Sequence, residues 1–543
     1  MKPVNVDWPV ELSVADKGVL KLCKKQKLWG FLRHHRHLLF DAEVVDALQQ
    51  MYLPVGQVPI DVKQQAMAML LQVAFDVPDH EVPVLTVVDA RWQMVLGCRE
   101  IDKPLLSQGT VFNFRMRAME AGAVSVLLEK TVELARETGG FSHKRLRAII
   151  DSSPLLGAGR VEDTVNLLGR AIRRLAELAG DETDRTAEEV ASAAGIDIVG
   201  TSSIKAWLDL DWRSPTARGE AVTRLIEQFD RLRAWLVEQL GATRVEQPPI
   251  GDQVELVERI IEQDTEPDPD APTTVDSEST SAEGQGSEPT PTDTPRGARR
   301  IKKGVAHNRL ISLSDLDMRH GRKTRTKTFN GYKRHVVAEA DVPGLICATK
   351  LVPANVKEHE PVGELVGALG LRGFELAEAH VDRGYLPAPE LHERRRSGLR
   401  LVTKPPAART NGRFTKSDFR VDFANGTVTC PADHTVPADV ITRFPTATCR
   451  ACHLRGRCTE AKRGRTVQLH PEEEFHRQLA GRLRTPEGRQ DARQRVPVEH
   501  VLARVDQIQG RRARFRGLAK NQFDLERVAV VNNCYILNRL LAA

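Results

Sequence analysis

At 543 residues the chain is too long for one compact core and must divide into several domains. Hydrophobic residues make up 41% and charged residues 28%, an ordinary soluble composition, and no apolar run approaches the ~20 residues a bilayer demands, which excludes a helical membrane span. The net charge of +6 is modest but unevenly placed: acidic residues gather between Asp264 and Asp293, while Lys and Arg gather at 21–37, 296–333 and 477–520. Such blocks point to a polyanion partner such as nucleic acid, with plain solvated surface as the alternative for any single block. The N-terminus lacks the apolar core of a signal peptide, so the eight cysteines are expected as cytoplasmic thiols or metal ligands.

Residues 29–137 read as mostly helical. The run from Val62 to Phe75 has helix-forming residues and a broad apolar face. Ser107 is placed as an N-cap for a helix that sets Arg115 and Arg117 beside aromatics. Short helices with a basic one near the end fit a helix-turn-helix DNA reader, and a helical packing or dimerisation domain is the alternative. Arg145-Leu-Arg-Ala-Ile-Ile-Asp151 reads as a short strand that stops on its aspartate; the alternative is an Asx turn leading into Pro154. From 161 to 240 the pattern is helical again, with Val165, Leu168, Ile172, Leu175 and Leu178 at helical spacing, and predicts an insertion with its own small core. Residues 264–296 are rich in Pro, Thr, Ser, Glu and Asp and predict a disordered acidic linker.

Strands follow the linker. One is expected at 309–315, and a hairpin at 332–339 and 345–352 around Asp341-Val-Pro-Gly344. Asn355 is placed as the cap of a helix over 356–369. The next strand, 374–381, stops at Asp382; a helix at 389–396 and a strand at 399–403 complete an α/β pattern. Asp382 either caps the following turn or stands at the carboxyl end of a central strand, a common place for α/β chemistry. Cys430, Cys449, Cys452 and Cys458 then form a C-x18-C-x2-C-x5-C run, which matches tetrahedral zinc ligation; reduced thiols in a small packed insert are the alternative. Cys23, Cys98, Cys347 and Cys534 read as ordinary buried thiols. A helix from Pro497 to Gly510 places Glu499 at the edge of its apolar stripe, and a dense basic turn carrying Arg511, Arg512, Arg514, Arg516 and Lys520 follows.

Two strand-end aspartates and one helix-borne glutamate supply hard oxygen ligands suited to Mg²⁺ or Mn²⁺. Two such ions can drive phosphodiester transfer, with surrounding Arg and Lys holding the DNA backbone. The matching blocks are Ala148-Ile-Ile-Asp-Ser-Ser-Pro154, Asp317-Met-Arg-His-Gly-Arg-Lys323 with Phe329-Asn-Gly-Tyr-Lys-Arg-His335, Val381-Asp-Arg-Gly-Tyr385, and Val498-Glu-His500 with Arg514-Phe-Arg-Gly-Leu-Ala-Lys520. In these the chain resembles DDE-type insertion-sequence transposases with an InsH-like helical N-terminal domain and a Cys-rich insert before the last acid. Relatives with this core carry a Tyr, Arg, Glu, Lys signature; Arg495 and Glu499 fit its spacing, while Ala492 and Asp506 stand at the Tyr and Lys positions. Arg504, Arg511 or Arg512 are the candidate substitutes for that lysine, and Glu472–Glu474, Asp506 and Glu526 are rivals to Glu499.

The resemblance implies an RNase H-like α/β core, a mixed five-stranded sheet with helices, in which the two aspartate strands pair side by side. The expected layout is a helical DNA-binding domain at 1–140, the first core strand at 141–160, a helical insertion at 161–245, a disordered linker at 246–304, the core again at 305–404, a zinc-ribbon-like insert at 405–475, and C-terminal core helices at 476–543. Asp151, Asp382 and Glu499 are the expected catalytic metal ligands for Mg²⁺ or Mn²⁺, and Cys430, Cys449, Cys452 and Cys458 hold structural Zn²⁺. Arg115, Arg117, Arg322, Lys323, Lys333, Arg495, Arg511, Arg512, Arg514, Arg516 and Lys520 are the expected DNA contacts. The implied activity is metal-dependent cleavage and strand transfer at the terminal repeats of an insertion sequence, by a dimer or larger assembly near the nucleoid. The alternatives are a catalytically silent DNA-binding derivative and a structure-selective nuclease.

Overall fold

A computed structural model of the chain describes residues 6–53, 59–138, 145–269, 297–324, 326–407 and 412–542. Its centre is a mixed sheet of β1 (Arg145–Leu156), β2 (Arg319–Arg322), β3 (Thr328–Glu339), β4 (Ile346–Pro353), β5 (Glu375–Val381) and β6 (Arg400–Val402). The order is β2–β3–β1–β5–β6, with β4 pairing along the same edge of β3 as β2. β1 runs antiparallel to β3 and parallel to β5, and β5 runs parallel to β6. Ala148, Ile149 and Ile150 on β1, and Leu376, Ala379 and Val381 on β5, are buried, as suits parallel strands covered on both faces. This mixed α/β sheet is compatible with an RNase H-like core.

The helices that matter here are α1 (Val62–Ala74), α2 (Gln108–Glu120), α3 (Ala123–Glu137), α4 (Thr164–Thr183), α5 (Ala217–Leu240), α6 (Ile250–Asp264), α7 (Val362–Leu371), α8 (Pro389–Arg396), α9 (Pro497–Gln509) and α10 (Leu518–Leu540). α10 is largely enclosed: Leu525, Val528, Val531, Cys534 and Leu537 are buried, and so are the polar Asn521, Asp524, Arg527, Asn532 and Asn533. Each such Leu or Val contributes about 1.5–3 kcal/mol of transfer free energy. α10 also covers the open edge of β4. The Gln522 side-chain oxygen accepts the Leu351 N–H at 2.6 Å, and Asn533 both accepts from the Ile346 N–H and donates to its carbonyl at 2.8 Å. An exposed row of strand amides is thereby paired. The same Asn533 amide donates to Thr131 Oγ1 on α3 at 3.0 Å. The N-terminal helices, α10 and the sheet consequently share one apolar cluster, while α4, α5 and α6 bury their stripes in a second.

Several expectations differ from this arrangement. β1 does not stop at Asp151 but continues through Pro154 to Leu156, because β3 pairs with it as far as Gly331. Pro154 is tolerated there because β5 has already ended at Val381 and its missing N–H leaves no ladder bond unmade on that side. The sheet has six strands rather than five. Residues 309–315 are not a strand: Leu310 donates its N–H to the Gln263 side chain and Ile311 gives its carbonyl to Glu162. The helix expected over 356–369 begins only at Val362, after a turn. The acidic linker placed at 246–304 includes α6, whose Val254, Val257, Ile260 and Ile261 are buried against α4; the linker's centre, 270–296, lies outside the described residues. No helix of the described residues is long and apolar enough to cross a membrane.

Glu339 closes the β3–β4 hairpin by accepting the Val342 N–H at 2.5 Å. Burial pushes its carboxyl from 4.5 up to about 7. A folded-state value above the unfolded one means the folded state holds the proton more tightly. The resulting stabilisation is complete below about pH 4.5 and is lost as pH rises through about 7. Glu339→Gln keeps an accepting oxygen and removes this dependence. In denaturant titrations the wild type is expected to lose stability relative to Glu339→Gln between those two pH values, and parallel curves would contradict it.

Candidate metal-dependent DNA site

β1 and β5 are in register through Ile149 opposite His380 and Ile150 opposite Val381. The next residues along each strand are Asp151 and Asp382, so the two carboxylates stand side by side at the carboxyl end of the parallel pair. Register partners on neighbouring strands share a face of the sheet. Asp382 precedes a short 3₁₀ turn, Arg383–Tyr385, but its side chain makes no capping hydrogen bond. The helix-cap account of this aspartate is thereby excluded. Asp151 accepts the Ser152 N–H on Oδ1 at 2.8 Å and the Arg495 guanidinium on Oδ2 at 2.7 Å. Burial raises its carboxyl above the usual range; Arg495 opposes this, and the charges of Asp382 and Glu358 add to it.

Glu358 is the site residue that sequence reasoning missed. It lies in the turn between β4 and α7, where the Asn355 motif suggested a helix start. The Ser152 hydroxyl donates to its Oε1 at 3.3 Å. A Cβ at Gly384 would fall 1.7 Å from its Oε2, so the carboxylate packs directly against the glycine two residues beyond Asp382. Nothing local signals the contact, which joins positions far apart in the chain. Beneath it, the Tyr385 hydroxyl is hydrogen-bonded to His335 Nδ1 at 2.7 Å, and both rings are fully buried. Burial lowers the imidazole to about 3, so His335 is neutral. The phenol is pushed well above 10 by burial first, then by the charges of Asp151 and Glu358.

Glu499 lies in the first turn of α9, exposed, and its carboxylate makes no hydrogen bond or ion pair among the described residues. It follows Arg495, which lies in the turn before α9, by four residues. Its rivals are engaged elsewhere. Glu472 pairs with Arg395 and Arg396, Glu473 with Lys416, Asp506 with Arg334, and Glu526 takes the Gln522 amide at 2.8 Å. Among the described residues no group of three or more His, Cys, Asp and Glu is disposed to hold a metal ion. The site therefore offers two neighbouring carboxylates, a third nearby, and a guanidinium seated on the first.

The basic residues divide by environment. Arg511, Arg512 and Arg516 are exposed on the turn after α9 and Lys520 in the first turn of α10; the turn is pinned to the end of β1 by Leu156 N–H to Arg511 C=O at 2.9 Å and Ala513 N–H to Leu156 C=O at 2.7 Å. Arg514 pairs with Asp76 at 2.8 Å, and Arg504 stacks on Tyr535 at 4.3 Å. Arg322 and Lys323 are exposed at the end of β2. Lys333 is half-buried and donates to the Val356 carbonyl at 2.6 Å. Arg117 is exposed above Tyr52. Arg115, expected as a DNA contact, is instead buried and bound to both oxygens of Asp79 at 2.6 and 2.7 Å. Its position on α2 faces the core, where Phe515 stacks against it.

The Cys-rich segment has a small core of Phe419, Val428, Phe444 and Val467. Cys430, Cys449, Cys452 and Cys458 line one pocket with His434, and burial raises the Cys458 thiol. All four are free and half-exposed. Cys98, Cys347 and Cys534 are buried as expected, while Cys23 is half-buried.

The family model of the transposase DDE domain matches residues 429–540, a span that holds Glu499, Arg495 and the basic turn and begins after both aspartates. No curated protein and no solved structure matches the chain. Over residues 429–540 the chain is similar to the DDE domain of transposases.

Proposed function

We propose that the chain cleaves DNA at the ends of an insertion sequence and transfers the strand ends to target DNA, using a divalent cation held by Asp151, Asp382 and Glu499. The observation that carries this is the side-by-side placement of Asp151 and Asp382 at the end of a parallel strand pair. The paired aspartates suit such an ion: Mg²⁺ is ordinarily held by one or two carboxylates and completes its shell with water and phosphate oxygens. A bound divalent ion activates the attacking hydroxyl and stabilises the leaving oxygen of a phosphodiester. The chain's own part is to fix the two aspartates by strand register, to bring Glu499 to the same end on α9, and to hold the DNA backbone with Arg322, Lys323, Lys333 and the turn 511–520. Arg495 and Arg117 join that surface once DNA is present, and synapsis of two ends calls for at least two copies of the chain.

Cleavage and strand-transfer assays with Mg²⁺ and with Mn²⁺ test this reading. Metal-dependent 3′-ends that become joined to target DNA are expected. Binding without nicking is the outcome for a silent DNA-binding derivative, and nicking without joining is the outcome for a nuclease. Each phosphate contact releases counterions, so Arg512→Gln with Lys520→Gln is expected to reduce the slope of log affinity against log salt by about 0.9 per residue. An unchanged slope would remove this turn from the DNA surface.

Zinc binding by the Cys-rich segment is a separate proposal, supported by the convergence of four thiols on one pocket although they are not disposed as a formed metal site. Elemental analysis is expected to find zinc in the purified chain and to lose it in Cys452→Ser. A folded, zinc-free wild type would remove the proposal.

A further inference from the structure

Two charged groups close on the aspartate pair, and neither belongs to its three expected acids. Glu358 is held by the Ser152 hydroxyl at 3.3 Å and by the absence of a side chain at Gly384, whose Cβ would sit 1.7 Å from its Oε2. Arg495, in the turn before α9, places its guanidinium 2.7 Å from Asp151 Oδ2. It also lines the small hollow beside Asp382 together with Thr403, Lys404 and Ala492. Lys333, the basic neighbour of Glu358, is turned to the Val356 carbonyl. The net arrangement is a carboxylate cluster with one cation of the chain already seated on it.

We propose that Glu358 and Arg495 set the divalent-cation affinity of the Asp151–Asp382 pair in opposite senses. The inference rests on the metal reading of that pair. Glu358 adds a negative charge to the cluster without adjoining it closely enough to complete a ligand group, so it attracts the ion through the field it shares with the aspartates. Arg495 occupies the cation side of Asp151, so an arriving ion has to displace it. Both are positioning residues, acting through Asp151 and Asp382. Neighbours of this kind typically shift metal affinity 10- to 100-fold. Pairing with Arg495 also keeps Asp151 compensated before a cation arrives, which lets a partly buried carboxylate cluster persist without its ion.

The test is a titration of the full chain with Mn²⁺ alone, followed by electron paramagnetic resonance of the free ion. Glu358→Gln is expected to weaken Mn²⁺ binding about tenfold, and Arg495→Gln to strengthen it about tenfold. Glu358→Asp, which keeps the charge, is expected to recover most of the loss. Thermal melts in metal-free buffer identify any variant whose fold is damaged, and a general loss of structure cannot move the two affinities in opposite directions. Either Gln variant within twofold of wild type, or both shifted the same way, overturns the proposal. Asp382→Asn separates the two levels. If it leaves Mn²⁺ binding unchanged, the metal reading itself fails and this inference with it. If it abolishes binding while Glu358→Gln and Arg495→Gln do not move it, only this inference fails.

Discussion

Asp382→Asn is expected to leave DNA binding intact and to lower end cleavage on the order of 10²–10³-fold. The amide keeps the size of the carboxylate and removes its charge, so the loss reports what the charge does. Asp382 is a cleaner probe than Asp151 because it caps no helix turn. Asp151 carries the Arg495 ion pair, so Asp151→Asn is expected to abolish cleavage to the same degree while also freeing a guanidinium. The measurement is the initial rate of strand cleavage on end-containing DNA at saturating Mg²⁺, beside a binding titration on the same DNA without metal. Cleavage near the wild-type rate in Asp382→Asn would take this residue out of the site. A parallel loss of DNA binding would mean that the aspartate acts on the fold or on the DNA surface instead.

The largest effect on stability is expected at Arg334, which is fully buried on β3. Its guanidinium donates to the Pro154 carbonyl at 2.8 Å, to the Gly510 carbonyl and the Gln509 side chain at 3.1 Å, and to the Asp506 carboxylate. Gln509 extends the network to Asp524 at 3.1 Å, and Asp524 to Arg527 at 2.6 Å. Removing one partner of a buried ion pair costs about 3–5 kcal/mol, because the groups left behind are unpaired. Asp506 is partly open to solvent, which places Arg334→Met near the lower end, about 3 kcal/mol. Denaturant unfolding checks this, and a loss below about 1 kcal/mol would show that water replaces the guanidinium. The same network fastens the carboxyl end of α9 to β1, as the Arg495–Asp151 pair fastens its amino end. Arg334→Met is therefore also expected to slow cleavage by loosening the helix that carries Glu499.

Local chemistry made much of this fold legible. The Ser107 cap, the 341–344 turn, Pro497 at the start of α9 and Gly510 at its end all stand as their residue types predict. The side-by-side pairing of the two aspartate strands, which the family resemblance implied, is present as a parallel pair. What was not legible depends on contacts between distant segments. The extension of β1 past Pro154 is dictated by β3, nearly two hundred positions on in sequence. Arg115 read as a surface cation because its neighbours are polar and aromatic, yet Asp79 and Phe515 enclose it. Residues 250–264 read as the edge of an acidic tract by composition, although four apolar side chains at helical spacing bury one face of α6. Glu358 carries no local mark; the Ser152 hydroxyl and the packing of its carboxylate over Gly384 bring it to the aspartates.

The most direct test replaces Mg²⁺ with Fe²⁺ and lets ascorbate and peroxide generate hydroxyl radicals at the bound ion, which cut the polypeptide nearby. Fragments that end close to Asp151 and Asp382 are expected, suppressed by excess Mg²⁺ and absent in Asp382→Asn. Cuts confined to the cysteine segment, or a pattern that Asp382→Asn leaves unchanged, would contradict this expectation.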